Sequence, residues 1–283
     1  MVVIILHQIW QSFNEAWRRF EYDYIFIDSI FFLIWLSILI KKKKWNPIKF
    51  GFITAIIVYF IDAIFWWNLP ANANYPPGTT IREYWIGGTK VVKGYSEYFW
   101  GKFGADFMMC FSYSMFIFPW LWIMFKNYAK KNYKEILLYT GLFFSAWFLT
   151  PIISIVLPIN NTIVETVRHM DTQMIVWIIN VIVGYSILSL IYGTNIFGRK
   201  NPKYIWYTFI IGALGSLFME FPLFITGIRP TGIEFLLFEI VILFNQGAPY
   251  LFIAYDIVIP KVISVVKNKL SVKTEEMTVL NKI

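Results

Sequence analysis

Six carboxylates of this chain stand inside or at the edge of long apolar stretches: Asp28, Asp62, Asp106, Glu220, Glu239 and Asp256. An ionised Asp at the centre of a bilayer costs on the order of 2.5–3.5 kcal/mol on insertion scales, so each such group marks a functional site by default. Carboxylates gathered in a low dielectric can share a proton or a cation, serve as general acid and base, or hold a divalent metal. Other routes to chemistry are absent from the sequence. There is one cysteine, Cys110, and there are two histidines, His7 and His169, with neither metal-type Cys/His spacing nor a Ser/His/Asp order.

The elements that must position these acids follow from composition. Of 283 residues, 58% are apolar, 20% aromatic and 15% charged, against roughly 45–50% apolar and 25% charged in a soluble domain. The mean hydropathy of +0.59 agrees. This is an integral membrane composition, which excludes soluble enzymes, nucleic-acid binders and disordered proteins. The net charge of +8 does not indicate a nucleic-acid partner, because the basic residues are divided among segments between apolar runs.

Seven apolar runs, at 24–40, 50–67, 103–125, 135–158, 173–197, 204–226 and 233–260, are long enough to cross a hydrocarbon core. They exceed the roughly 9–11 residues of a barrel strand and lack strict alternation, so the expected fold is all-α, a polytopic bundle of seven transmembrane helices. With the first run crossing from outside to inside, four segments become cytoplasmic. They hold Lys41, Lys42, Lys43, Lys44 and Lys49; Lys126, Lys130, Lys131 and Lys134; Arg199, Lys200 and Lys203; and Lys261, Lys267, Lys269, Lys273 and Lys282. That is about 17 of the 25 basic residues, and such an excess in short segments sets orientation. The N-terminus is expected outside and the C-terminus in the cytoplasm, in a cell membrane. Seven spans also divide as a 3+1+3 parallel repeat, a plan found among transporters. It aligns Asp62 with Glu220 and Asp106 with Glu239.

Residues 1–23 carry Leu6, Ile9, Trp10, Phe13, Trp17 and Phe20 at helical spacing opposite Gln11, Asn14, Glu15, Arg18 and Arg19. That pattern predicts an amphipathic interfacial helix. The core domain spans 24–266, and 68–102 reads as an outer cap loop, its proline and glycine clusters interleaved with Trp85, Tyr95, Tyr98 and Trp100. A short polar cytoplasmic tail occupies 267–283.

At 1.5 Å per residue, Asp62, Glu220 and Glu239 lie roughly 8–9 Å below the outer boundary. Asn180, Thr150 and Asp28 share that depth, and Asp106 is about one turn nearer the outside. The alternatives for Asp28 and Asp106 are helix N-caps, and for Asp256 a structural pair with Lys261. Arg168, His169 and Arg229, just above the layer, are the charge partners. In the sixth run Gly212, Ser216 and Glu220 recur every fourth residue, a small-residue seam ending at a carboxylate. The seventh contains Asn245-Gln246-Gly247-Ala248-Pro249, which disfavours a continuous helix, and Gln246 shares a face with Glu239.

The expected ion or substrate pathway is therefore Asp62, Asp106, Asn180, Glu220, Glu239 and Gln246, in a transporter or channel for a small polar or cationic solute with proton coupling. The alternative is a membrane-embedded enzyme acting on a lipid or isoprenoid at the outer leaflet, with carboxylates as acid, base or metal ligands. A third reading is a sensor or assembly subunit whose polar layer only specifies packing. No cofactor is evident, although a divalent cation would suit the carboxylates. No lysine lies within the seventh run to hold a retinal Schiff base.

Overall fold

Seven helices long and apolar enough to span a membrane organise the chain in a computed structural model that describes residues 15–93, 97–157, 159–230 and 232–265. They are α1 (Asp23–Lys41), α2 (Trp45–Asn68), α3 (Phe99–Ala129), α4 (Tyr133–Val156), α5 (Met170–Tyr192), α6 (Lys203–Ile225) and α8 (Ala248–Val265); the shorter α7 (Ile233–Ile242) precedes the last. The outward faces carry Leu33, Ile53, Leu137, Ile182 and Trp206, all exposed, as lipid-facing surfaces require. α3 is the central helix, buried along most of its length, and α2, α4 and α6 pack around it. Its aromatic side chains lock it in place: Trp120 stacks on Phe143 at 4.9 Å, and Trp147 meets Tyr113 edge-on at 4.2 Å.

The chain is not all-α. Strands β1 (Glu15–Glu21), β2 (Arg82–Ile86), β3 (Thr89–Lys90) and β4 (Ile163–His169) form an antiparallel sheet in the order β1-β4-β2-β3. Part of the expected amphipathic helix is therefore a strand. Trp17 and Phe20 are compatible with a helical period, but 15–21 also alternates, placing Ala16, Arg18 and Phe20 on one buried face. Seven residues are too few to separate the two periods, and pairing with β4 along the whole of β1 decides between them. Residues 1–14 and the tail at 267–283 lie outside the described residues. Within the expected cap loop, β2 and β3 form a hairpin, and the Pro70–Thr80 bridge closes the segment before it.

β1 leads into α1, the hairpin joins α2 to α3, and β4 joins α4 to α5. All three segments meet at one end of the bundle, where the turn between α6 and α7 joins them through the Arg19 N–H, which donates to Ile228 O at 2.8 Å. The lysine-rich connections lie at the other end, where Lys44 Nζ is 2.8 Å from Glu135 Oε2.

The last crossing is interrupted between Ile242 and Ala248. Asn245 turns into α6 at Gly212, where a Cβ would overlap Asn245 Oδ1 and stand 2.9 Å from its Cγ. Ser216, one turn further along the seam, accepts the Phe244 N–H at 3.2 Å, and Tyr185 donates to Asn245 Oδ1 at 2.6 Å. The seam is what lets a non-helical turn enter the bundle with its polar groups satisfied.

Candidate functional site

Alternation along the sheet gives its bundle-side face Arg18 from β1, Arg82 from β2 and Arg168 from β4. Arg82 and Arg168 are direct cross-strand partners. Like charges at such positions repel, so the pair requires a counter-ion, and the helices below supply it. Arg82 Nη1 and Arg168 Nη2 each lie 2.5 Å from Asp62 Oδ2. Cys110 donates its S–H to the same oxygen at 3.4 Å. Asp62 and Cys110 sit in π-helical turns, Tyr59–Phe65 and Phe107–Ser112, on neighbouring helices; such widened turns rotate a side chain out of its α-helical register and recur at functional sites.

Two charge clusters result. In the first, Arg82 Nη2 is 3.7 Å from Asp106 Oδ1, Lys102 Nζ is 2.5 Å from Asp106 Oδ2, and Tyr84 donates its hydroxyl to Asp106 Oδ1. In the second, Arg18 Nη2 is 2.8 Å from Glu220 Oε1, Arg229 Nε is 3.3 Å from Glu220 Oε2, and Arg229 Nη2 binds Glu239 Oε1. The Arg18 guanidinium also lies over the Tyr113 ring, 5.3 Å from its centroid. Burial is the largest single influence on Arg18 and Arg82 and opposes their charged forms, yet the acidic groups around them, led by Glu220 for Arg18 and Asp62 for Arg82, together outweigh it and raise both pKa values. For Arg168 burial prevails over its share of Asp62, and its pKa falls.

A cavity of about 680 Å³ lies beneath the sheet between α2, α3, α5, α6 and the interrupted last crossing. Arg18, Asp62, Arg168 and Glu220 border it, with Ser114, Asn180 and Gln246 as further polar lining. The remaining wall is apolar, built from side chains such as Ile61, Phe65, Phe118, Trp177 and Phe244. Ile57, Ile61, Phe65 and Val176 line it while remaining 51%, 45%, 56% and 44% exposed, so the cavity opens on the flank of the bundle between α2 and α5.

Of the residues singled out in the sequence, Asp62, Asn180, Glu220, Gln246 and Arg168 border this one cavity. Glu239 and Asp106 lie behind it, tied to its rim through Arg229 and Arg82. His169 is on the opposite face of the sheet, its Nε2 3.4 Å from Glu83 Oε2 and its ring against Tyr75 at 4.3 Å. Neither Asp28 nor Asp106 caps a helix, since α1 begins at Asp23 and α3 at Phe99. Asp28 is buried in α1, its Oδ2 without a hydrogen-bond partner among the described residues. Thr150 donates to Ala146 O of its own helix and, among the described residues, has no other side-chain hydrogen bond. Asp256, in the π-helical turn Ala254–Val258, pairs with Arg199 at 2.9 Å and Tyr192 at 2.5 Å, not with Lys261.

Arg18, Arg82 and Lys102 are the members that sequence reasoning did not find. For the first two the signal was present as alternation, Ala16-Arg18-Phe20 and Arg82-Tyr84-Ile86, in segments read as a helix and a loop. Among the described residues, no three His, Cys, Asp or Glu side chains converge so as to hold a metal ion. Compared with known proteins, the chain matches no family model, no curated protein and no solved structure.

Proposed function

We propose that this chain is a membrane-embedded enzyme acting on an amphiphile, a lipid or isoprenoid that enters sideways from the bilayer. The observation that carries this reading is the cavity, charged at the end under the sheet, apolar along its walls and open on the flank between α2 and α5. A ligand with a polar head and a hydrocarbon tail matches both halves, and the tail keeps contact with lipid through the opening. A small cationic solute matches less well, because Asp62 and Glu220 already hold arginines. Asp62 Oδ1 has no hydrogen-bond partner among the described residues, so this oxygen is placed to accept a hydrogen bond from a bound substrate.

The test is photolabelling in vesicles containing an acyl lipid with a photoactivatable group in its chain. Cross-links are expected to concentrate on Ile61, Phe65 and Val176. Labelling spread evenly over lipid-facing positions such as Leu33 and Leu137 would sink the reading.

Transport is the second reading, favoured by one feature: the break at 243–247 supplies Leu243, Phe244, Gln246 and Gly247 to the cavity wall, and interrupted helices beside a cavity are characteristic of transporter sites. A cysteine at Gln246 that reacts with polar reagents from both sides would favour transport, and reaction from the sheet side alone would favour the enzyme. In either reading the basic residues orient the sheet outside and the lysine-rich connections inside a cell membrane. The 3+1+3 division belongs to the same proposal. It is supported by β1 leading into α1 as β4 leads into α5, and opposed by the lack of a hairpin between α6 and α7 among the described residues.

A further inference from the structure

We propose that the polar end of the cavity is a site for an anionic head group of the phosphate class, held between Arg18 and Arg168, with a hydroxyl donor on or beside the phosphate. The inference rests on the amphiphile reading and names the class of its head group.

The charges within the ion-pair network at the polar end of the cavity do not balance. Arg18, Arg82, Arg168, Arg229 and Lys102 are joined by ion pairs to Asp62, Asp106, Glu220 and Glu239, which leaves one positive charge over. The surplus falls on Arg82 and Arg168, which share Asp62 Oδ2 as their close partner. Arg168 borders the cavity. An uncompensated charge in so apolar a place is costly, and an anion removes the cost. An ammonium head group would add to the surplus instead.

The donors are also in place. The Arg18 side chain is only 7% exposed and borders the cavity, yet its Nε and Nη1 have no hydrogen-bond partner among the described residues. A guanidinium presents its N–H groups as a planar fork that matches two oxygens of a phosphate. A buried arginine using one nitrogen for Glu220 and holding two unused is a built half-site for such a group. The donor requirement comes from the acids. Asp62 Oδ1 also lacks a hydrogen-bond partner among the described residues, Glu220 Oε2 has the Arg229 contact at 3.3 Å, and both oxygens would repel a bare dianion. A monoester P–OH, or a neighbouring glycerol or sugar hydroxyl, turns that repulsion into a hydrogen bond.

The experiment compares four probes on the full-length protein in detergent: oleoyl lysophosphatidic acid, monoolein, oleylamine and inorganic phosphate. Binding is read from the fluorescence of Trp66 and Trp177, which line the cavity, and from the shift in melting temperature. Lysophosphatidic acid is expected to bind at least tenfold tighter than monoolein. Arg18→Gln and Arg168→Gln should each remove most of that preference while leaving monoolein binding in place. Both variants leave an acid with a second cation, Glu220 with Arg229 and Asp62 with Arg82; if one fails to fold, the other carries the test. Equal, saturable binding of lysophosphatidic acid and monoolein, or tightest binding of oleylamine, would overturn the anion site while the amphiphile reading stands. Stabilisation by inorganic phosphate equal to that by lysophosphatidic acid would assign the arginines to a free phosphate and overturn the lipid head group. Saturable binding of none of the four would overturn both.

Discussion

Arg82 and Arg168 face each other across β2 and β4, and each places a guanidinium nitrogen 2.5 Å from one oxygen, Asp62 Oδ2. The sheet and the bundle are joined at this point: two strands contribute like charges that a sheet alone could not hold together, and a π-helical turn of α2 contributes the carboxylate between them.

Removing that charge should be costly. Asp62→Asn leaves two buried guanidiniums facing each other, and loss of one partner of a buried ion pair costs about 3–5 kcal/mol. Thermal unfolding of the purified variant should show a clearly lowered melting temperature. Unfolding coincident with wild type would mean that the three groups do not meet as described.

Glu239 is fully buried, binds Arg229 and is not among the residues lining the cavity. Its role is to hold Arg229 and, through it, Glu220. Glu239→Gln keeps an acceptor for Arg229, which also retains Glu220, so the loss of stability should stay below the about 3–5 kcal/mol of a broken buried pair. Ligand affinity should change little. A variant as stable as wild type that has lost all ligand binding would instead make Glu239 a binding residue.

The break in the last crossing depends on Gly212. Gly212→Ala puts a methyl group where Asn245 Oδ1 lies and should displace Asn245 from Tyr185, at a cost of about 1–3 kcal/mol. Asn245→Ala should cost a similar amount by leaving the Tyr185 hydroxyl without its acceptor. The double variant should cost less than the two singles added, since the methyl group no longer meets the amide. Strict additivity in a double-mutant cycle would count against the contact.

Orientation can be read by labelling with a membrane-impermeant thiol reagent. A cysteine at Asn74 should react in intact cells and one at Lys130 only after permeabilisation, with little background because Cys110 is buried. The opposite pattern would turn the sheet to the cytoplasm and move the cavity to the inner leaflet.

Much of this arrangement is legible in the chain itself. Apolar runs long enough to cross a bilayer have no stable state in water other than burial, so composition and run length alone indicate the membrane-spanning helices. Asp62, Glu220, Asn180 and Gln246 stand out because a polar group in such a run is too costly to be incidental. The interruption after Ile242 is announced by Asn245, Gly247 and Pro249, residues that a continuous helix does not favour.

What only the tertiary structure decides is which charges meet. Arg18, Arg82 and Arg168 come from three segments far apart in sequence, each too short for its period to be recognised, and a strand of five to seven residues exists only when its neighbours supply the other half of its hydrogen bonds. Run length cannot report that pairing. Nor can it report that Arg229 spans Glu220 and Glu239, that His169 turns to the far side of the sheet, or that Asp256 takes Arg199 in place of Lys261. Depth along a helix follows from counting residues, whereas direction around it depends on π-helical turns and helix packing, and these set each acid in the cavity or behind it.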